Sequence, residues 1–153
     1  MSRCGLLVGR MSREQLADTR TTGSAVTDRR HVLIVEDDTD LREIYADVLR
    51  EEGWEVATAS DGVEALELLE GGLMPCVAVL DLRMPRMSGW ELADRLRQNE
   101  AWRSLPFVIV AAHVRVADEA NHIGARWWLQ KPVSIDHLVS VIGEACASNA
   151  VMR

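Results

Sequence analysis

Two apolar runs in this sequence each end in carboxylates. Glu36-Asp37-Asp38 follows His31-Val32-Leu33-Ile34-Val35, and Asp81 follows Cys76-Val77-Ala78-Val79-Leu80. If the two runs are neighbouring strands, three or four carboxylates meet in one cleft. Like charges held that close do not all stay ionised without a cation. Hard oxygen donors in a partly hydrated cleft suit Mg2+, which takes a few protein oxygens and keeps several waters. Capping the helix that follows Glu36-Asp37-Asp38 would use only one of those carboxylates. Asp81 is also a candidate nucleophile, since a carboxylate that attacks phosphorus forms an aspartyl phosphate. Phosphoryl transfer asks the protein for in-line positioning and for neutralisation of charge. Lys131 is the candidate cation. Sixteen of the 17 basic residues are Arg, and Lys131 is the one Lys. Lysine offers a compact point charge where the arginine fork would not fit. A cis bond before Pro132 would aim that lysine back into the cleft.

The elements that must position these groups alternate along the chain. The run 31–35 is apolar and β-branched, as expected of a strand buried on both faces of a parallel sheet. Leu41, Ile44, Tyr45, Val48 and Leu49 then recur at helical spacing, and Gly53 ends that helix. Trp54–Thr58 alternates as a strand, and Ser60 or Asp61 caps a helix carrying Val63, Leu66 and Leu69. Cys76–Leu80 is a buried strand, and Met84-Pro85 breaks the chain after it. Ser88 caps a helix running to about Gln98, and Phe107–Ala111 is a strand. A short helix spans 115–123, Trp127–Leu129 is a short strand, and Ser134 caps a last helix with Ile135, Leu138, Val139 and Ile142 on one face. Five strands alternating with five helices predict an α/β, doubly wound parallel sheet with right-handed crossovers. In such a sheet ligands bind outside the carboxyl ends of the strands, where strand order reverses. Glu36-Asp37-Asp38, Asp81, Ala111-Ala112-His113 and Gln130-Lys131 all stand at those ends.

Composition bounds the remaining readings. The 153 residues make one domain of ordinary size, 48% hydrophobic and 27% charged, which is a globular balance. Net charge is −7, divided as +3 over residues 1–30 and −10 over the rest. An acidic body argues against nucleic acid as a partner. No apolar run approaches the ~18 residues of a membrane span, so no membrane partner is expected. Residues 1–30 lack periodicity and read as a disordered leader. The periodic domain is expected over 31–147, with 148–153 as a tail. Cys4, Cys76 and Cys146 are odd in number and far apart. They read as unpaired thiols of a reducing, cytoplasmic compartment.

Together these residues resemble the response-regulator receiver domain. Val35-Glu36-Asp37-Asp38 looks like the acidic pair after its first strand. Leu80-Asp81-Leu82-Arg83-Met84-Pro85-Arg86-Met87-Ser88-Gly89 resembles its phosphoacceptor loop, the D-x-x-M-P-x-M-x-G pattern. Gly124–Pro132 looks like its last strand with the lysine–proline pair. The resemblance implies a flavodoxin-like (βα)5 fold with strand order 2-1-3-4-5. It implies that Asp81 takes a phosphoryl group from a histidine kinase or histidine phosphotransfer protein. It implies Mg2+ held by Asp37, Asp81 and the main-chain carbonyl of Arg83, with Glu36 reaching it through water and Lys131 contacting the phosphoryl oxygens. It further implies a signalling protein rather than an enzyme, with an unnamed protein downstream. No output region follows the last helix in this sequence, so a stand-alone receiver is expected.

Two switch positions depart from the family pattern. Ala111 stands where a Thr or Ser hydroxyl grips the phosphoryl group, and Trp128 stands where a Tyr or Phe turns inward. Arg83 and His113 occupy positions that tune how readily water attacks the phosphate. Ala111 therefore supports an alternative reading, a degenerate receiver that binds proteins with a weakened phosphorylation switch. A third class, a haloacid-dehalogenase-like phosphatase, needs a second Asp two residues after the nucleophile, where this chain has Arg83.

Overall fold

The computed structural model describes residues 30–112 and 115–151. Among the described residues five strands alternate with five helices. These are β1 His31–Val35, α1 Thr39–Glu51, β2 Glu55–Ala59, α2 Gly62–Glu70, β3 Val77–Asp81, α3 Gly89–Gln98, β4 Phe107–Ala111, α4 Val116–His122, β5 Trp127–Gln130 and α5 Ile135–Val151. All strand pairs are parallel, in the order β2-β1-β3-β4-β5. This is the flavodoxin-like order expected from the sequence. β1 and β3 are neighbours, with Val35 in register with Leu80, so the acidic turn after β1 lies beside Asp81.

The central strands are apolar on both faces because helices cover both. On one face, Leu33, Leu80 and Ile109 pack with Leu66 of α2, Leu92 and Leu96 of α3 and Ala120 of α4. On the other, Val32, Ile34, Val79 and Val108 pack with Leu49 of α1 and Leu138 and Ile142 of α5. Helix starts follow from side-chain caps. Asp38 accepts from the Leu41 amide, Asp61 from Glu64, and Ser88 with Glu91 forms a reciprocal capping box. Asp38 thus takes the capping role, which leaves Glu36 and Asp37 for other work.

Three expectations change. Cys76 and Cys146 are joined by a disulfide, with Cα atoms 5.1 Å apart. The reading of unpaired thiols fails because the topology lays α5 against the start of β3, a contact that a separation of 70 residues conceals. The compartment inferred from that reading loses its basis with it. Among the described residues no helix is long and apolar enough to cross a membrane. α5 continues to Val151, past the boundary expected at 147. Residues 1–29 and His113 lie outside the described residues. Arg30 does join the fold: its guanidinium lies 4.8 Å from the Trp54 ring, and its Nη1 donates to the Glu52 carbonyl at 3.3 Å.

Candidate functional site

Strand order reverses between β1 and β3, and the chemistry-bearing residues collect at their carboxyl ends. Glu36, Asp37 and Asp81 each bring one carboxylate oxygen within 4.8 Å of the others. Glu36 and Asp81 are buried, at 2% and 6% exposure, and Asp37 is exposed. The Lys131 ammonium lies 3.0 Å from Glu36 Oε1 and 3.6 Å from Asp81 Oδ2. Lys131 follows β5, and its backbone amide donates to the Ala111 carbonyl at 2.8 Å, which fixes where its side chain starts. The Lys131–Pro132 bond is cis. Glu36 is held from two further sides. The Asp38 amide donates to its Oε2 at 3.3 Å, and Arg42 Nη1 donates to its carbonyl at 2.7 Å.

Electrostatics mark Asp81 as the unusual group. Its carboxyl is pushed up to about 7, first by burial, then by the charge of Glu36 nearby, with Lys131 acting the other way. Lys131 is raised as well: burial works against its charge, and the Glu36 hydrogen bond and the Asp81 charge outweigh that. Three carboxylates facing one ammonium leave the cleft negative. That donor set, all oxygen and partly open to water, fits a hard divalent cation.

The loop after β3 shapes the rim. An open cavity of about 440 Å3 is lined by Asp37, Leu82, Arg83, Met84, Ser88 and Trp90, among others. Arg83 is exposed there. Arg86 adopts a left-handed backbone, φ 65°, and its Nε donates to the buried Asp61 carboxylate at 2.7 Å. Burial works to raise the Asp61 carboxyl, and the Arg86 hydrogen bond together with the Glu64 amide outweighs it, so the group sits below its ordinary value. The Gly62 amide donates to the Met87 carbonyl at 3.2 Å, and the Gly89 amide to Leu82 at 3.0 Å. Sequence reasoning missed the Arg86–Asp61 and Arg42–Glu36 contacts. The first pair is 25 residues apart, and the second crosses a helix start at a spacing no pattern marks.

The structure therefore brings Glu36, Asp37, Asp81 and Lys131 into one cluster, with Arg83 on its rim. Ala111 is buried at the end of β4, at 1% exposure. Trp128 lies opposite Ile109 on β5 and is 43% exposed, so its ring faces outward.

The chain is similar to known proteins in sequence and in fold. The response regulator receiver domain family matches residues 32–143. An uncharacterized 14.6 kDa protein of Leptolyngbya boryana is 36% identical over 117 residues, covering 75% of this chain and 88% of that protein. The transcriptional regulatory protein PdtaR of Mycobacterium tuberculosis is 37% identical over 125 residues, 80% of this chain, and the chain spans 59% of its length. In fold, the chain is similar to the CheY-like receiver domain protein of Methanospirillum hungatei, with a TM-score of 0.74 at 24% identity over 82% of this chain and all of that one. The family model spans most of this chain, including both acidic ends and Lys131, so the chain belongs to the response-regulator receiver domain family of two-component signalling.

Proposed function

We propose that this protein is a Mg2+-dependent phosphoacceptor that takes a phosphoryl group on Asp81 from a phosphohistidine of a histidine kinase or histidine phosphotransfer protein, and that it signals through protein contact. The observation that carries this reading is the buried cluster of Glu36, Asp37 and Asp81 with Lys131 beside it. Asp37, Asp81 and the Arg83 carbonyl would hold the metal, and Glu36 would reach it through water. When bound, Mg2+ supplies the positive charge that lets the carboxylates stay ionised and a phosphoryl group approach. Asp81 is the nucleophile: one of its oxygens attacks phosphorus while the imidazole nitrogen of the donor leaves. Lys131, already 3.6 Å from Asp81, is placed to receive the incoming phosphoryl oxygens. The open cavity beside Asp37 and Arg83 is the side from which a partner's histidine would approach.

The test is incubation with acetyl phosphate or beryllofluoride, with and without Mg2+, read by intact mass and tryptophan fluorescence. Wild type should be labelled only with the metal, and Asp81→Asn not at all. Labelling of Asp81→Asn, or labelling in chelator, refutes the reading.

One observation favours a second reading, a protein-binding module with a weakened switch. Ala111 offers no hydroxyl to a phosphoryl group, and the Trp128 ring faces outward. A charge-assisted hydrogen bond at that position is worth roughly 1.5–3 kcal/mol, enough to shift a two-state equilibrium about ten- to a hundredfold. Measured by amide exchange with and without beryllofluoride, Ala111→Thr should show a larger response of residues 125–131 than wild type. A wild-type response as large as that of Ala111→Thr would dismiss the weakened switch.

A further inference from the structure

Cys76 immediately precedes β3, and Cys146 lies near the end of α5. Both are only partly buried against the α1/α5 face of the sheet, not sealed within its core. Their Cα separation of 5.1 Å falls within the range that a disulfide spans without backbone movement. A second contact holds the same junction: the buried Asn149 side chain donates from Nδ2 to the Cys76 carbonyl at 3.3 Å. Upstream of Cys146, α5 is anchored by Leu138, Ile142 and Ala145, each at 0% exposure. Downstream, Asn149 is the buried residue that remains among the described side chains of its last turn. The bulk of α5 is therefore secured by packing, and among the described side chains of its last turn the holding contacts are the nearby cross-link and the Asn149 hydrogen bond.

We propose that Cys76 and Cys146 form a reversible clamp, closed and opened by exchange with a small-molecule thiol–disulfide couple such as glutathione. A thiolate of one cysteine attacks a sulfur of oxidised glutathione, forms a mixed disulfide and expels one glutathione thiolate. The second cysteine loses its proton and attacks the protein-bound sulfur, expelling the second glutathione. Two protein thiols are oxidised, one glutathione disulfide is reduced to two thiols, and two protons pass to solvent or to the leaving thiolates. Reduced glutathione in excess runs the same steps backward.

The clamp closes a segment that contains Asp81 and Lys131, yet it sits at the opposite end of β3 from both. Cys76 and Asp81 are five positions apart along extended chain, roughly 16 Å. Opening it should loosen the last turn of α5 and lower the stability of the whole domain while leaving the acidic cleft assembled.

The full chain, equilibrated in glutathione buffers of graded ratio and quenched with N-ethylmaleimide, tests this by intact mass and peptide mapping. In excess oxidised glutathione the chain should yield a linked peptide of Cys76 and Cys146, with Cys4 recovered either as its maleimide or as its glutathione adduct; in excess reduced glutathione it should accept three maleimides. Thermal unfolding should fall by roughly 5–15 °C on reduction, from the chain entropy released by a loop of this length. Amide exchange should rise over residues 147–151. Cys4→Ser should keep the redox-dependent shift, and Cys146→Ser should lose it. Three free thiols in excess oxidised glutathione would overturn the proposal, as would a linkage through Cys4, or a bond that excess reduced glutathione leaves intact in the folded chain. Mapping on the wild type decides the matter even if Cys146→Ser folds poorly. None of these readouts depends on phosphorylation, so they stand or fall apart from the function proposed above.

Discussion

Replacing Gly89 by alanine isolates the steric demand that the Asp81 loop makes on the helix after it. A Cβ built on Gly89 would lie 2.9 Å from Leu82 Cα and 3.1 Å from the Asp81 carbonyl carbon, and closer still to the Asp81 carbonyl oxygen. Carbon atoms in good contact lie about 3.5–4.0 Å apart, so the new methyl is short by roughly 0.5–1 Å against backbone that has no rotamer to change. Asp81 and Leu82 are buried, at 6% and 0% exposure, so neither can retreat into solvent. Either α3 backs away or the end of β3 moves. Overpacking of this kind costs about 1–3 kcal/mol. Without the clash the sign would reverse, since Gly→Ala at a compatible position stabilises by about 0.4–1 kcal/mol through the unfolded chain. Gly143 in α5 supplies that reference, because a Cβ there meets nothing within 4 Å. Urea unfolding should therefore show Gly89→Ala less stable than wild type and Gly143→Ala more stable by up to about 1 kcal/mol. Acetyl phosphate labelling of Gly89→Ala should also slow by up to about a hundredfold, the scale set by a 1 Å error at a reacting atom. A Gly89→Ala protein as stable as wild type would refute the steric argument.

The remaining expectations concern the charged groups around that loop. Lys131→Arg keeps the charge, but a forked guanidinium has to enter a position where the side chain is 18% exposed between two carboxylates. Acetyl phosphate labelling should slow by about tenfold or more, and equal rates would return Lys131 to the role of a surface lysine. Asp61→Ala removes the α2 cap and the Arg86 partner together, at a cost of about 1–3 kcal/mol at neutral pH in urea unfolding. The Asp61 carboxyl sits below its ordinary value when folded, so its contribution is present above the unfolded value and lost as pH falls through the folded one. Wild type should therefore lose more stability than Asp61→Asn when acidified below about pH 4, and parallel losses would show that the Arg86 pair contributes nothing.

How much was legible in the sequence depended on whether a feature runs along the chain or across it. β1 and β4 appear at the bounds read from their apolar runs, and α3 starts after Ser88 because a Ser–Glu capping box is local. The site was legible for the same reason. Each of its charges stands at the end of an apolar run, and a parallel sheet gathers such ends on one edge. Contacts across the chain were not legible. His31 bonds to Glu55, Arg86 to Asp61 and Cys76 to Cys146, each at a separation fixed by loop lengths and by which face a helix covers. An odd cysteine count concealed the last of these, because parity says nothing about which two of three meet. Trp128 falls between the two cases: its place on β5 was readable, while its exposure follows from β5 being the edge strand of the sheet, which the run of residues alone does not show.

Partner choice within the cleft accounts for why a cluster so costly in charge persists. The Lys131 ammonium is closer to Glu36 than to Asp81, and the backbone of the acidic turn is tied down by Arg42. Glu36 is thus the compensated carboxylate, and Asp37 and Asp81 share what Lys131 leaves over. Burial of Asp81 beside Glu36 pushes its carboxyl up to about 7, so its proton and any cation compete for the same oxygens near neutral pH. An anionic phosphoryl group meets repulsion from the cluster as it stands, and one lysine already engaged by Glu36 cannot offset it. On the function proposed above, a cation held by Asp37 and Asp81 would displace the proton from Asp81 and offset that repulsion. The same geometry would then couple cation binding to acceptance of the phosphoryl group, with Lys131, held 3.0 Å from Glu36, as the charge that meets the incoming oxygens.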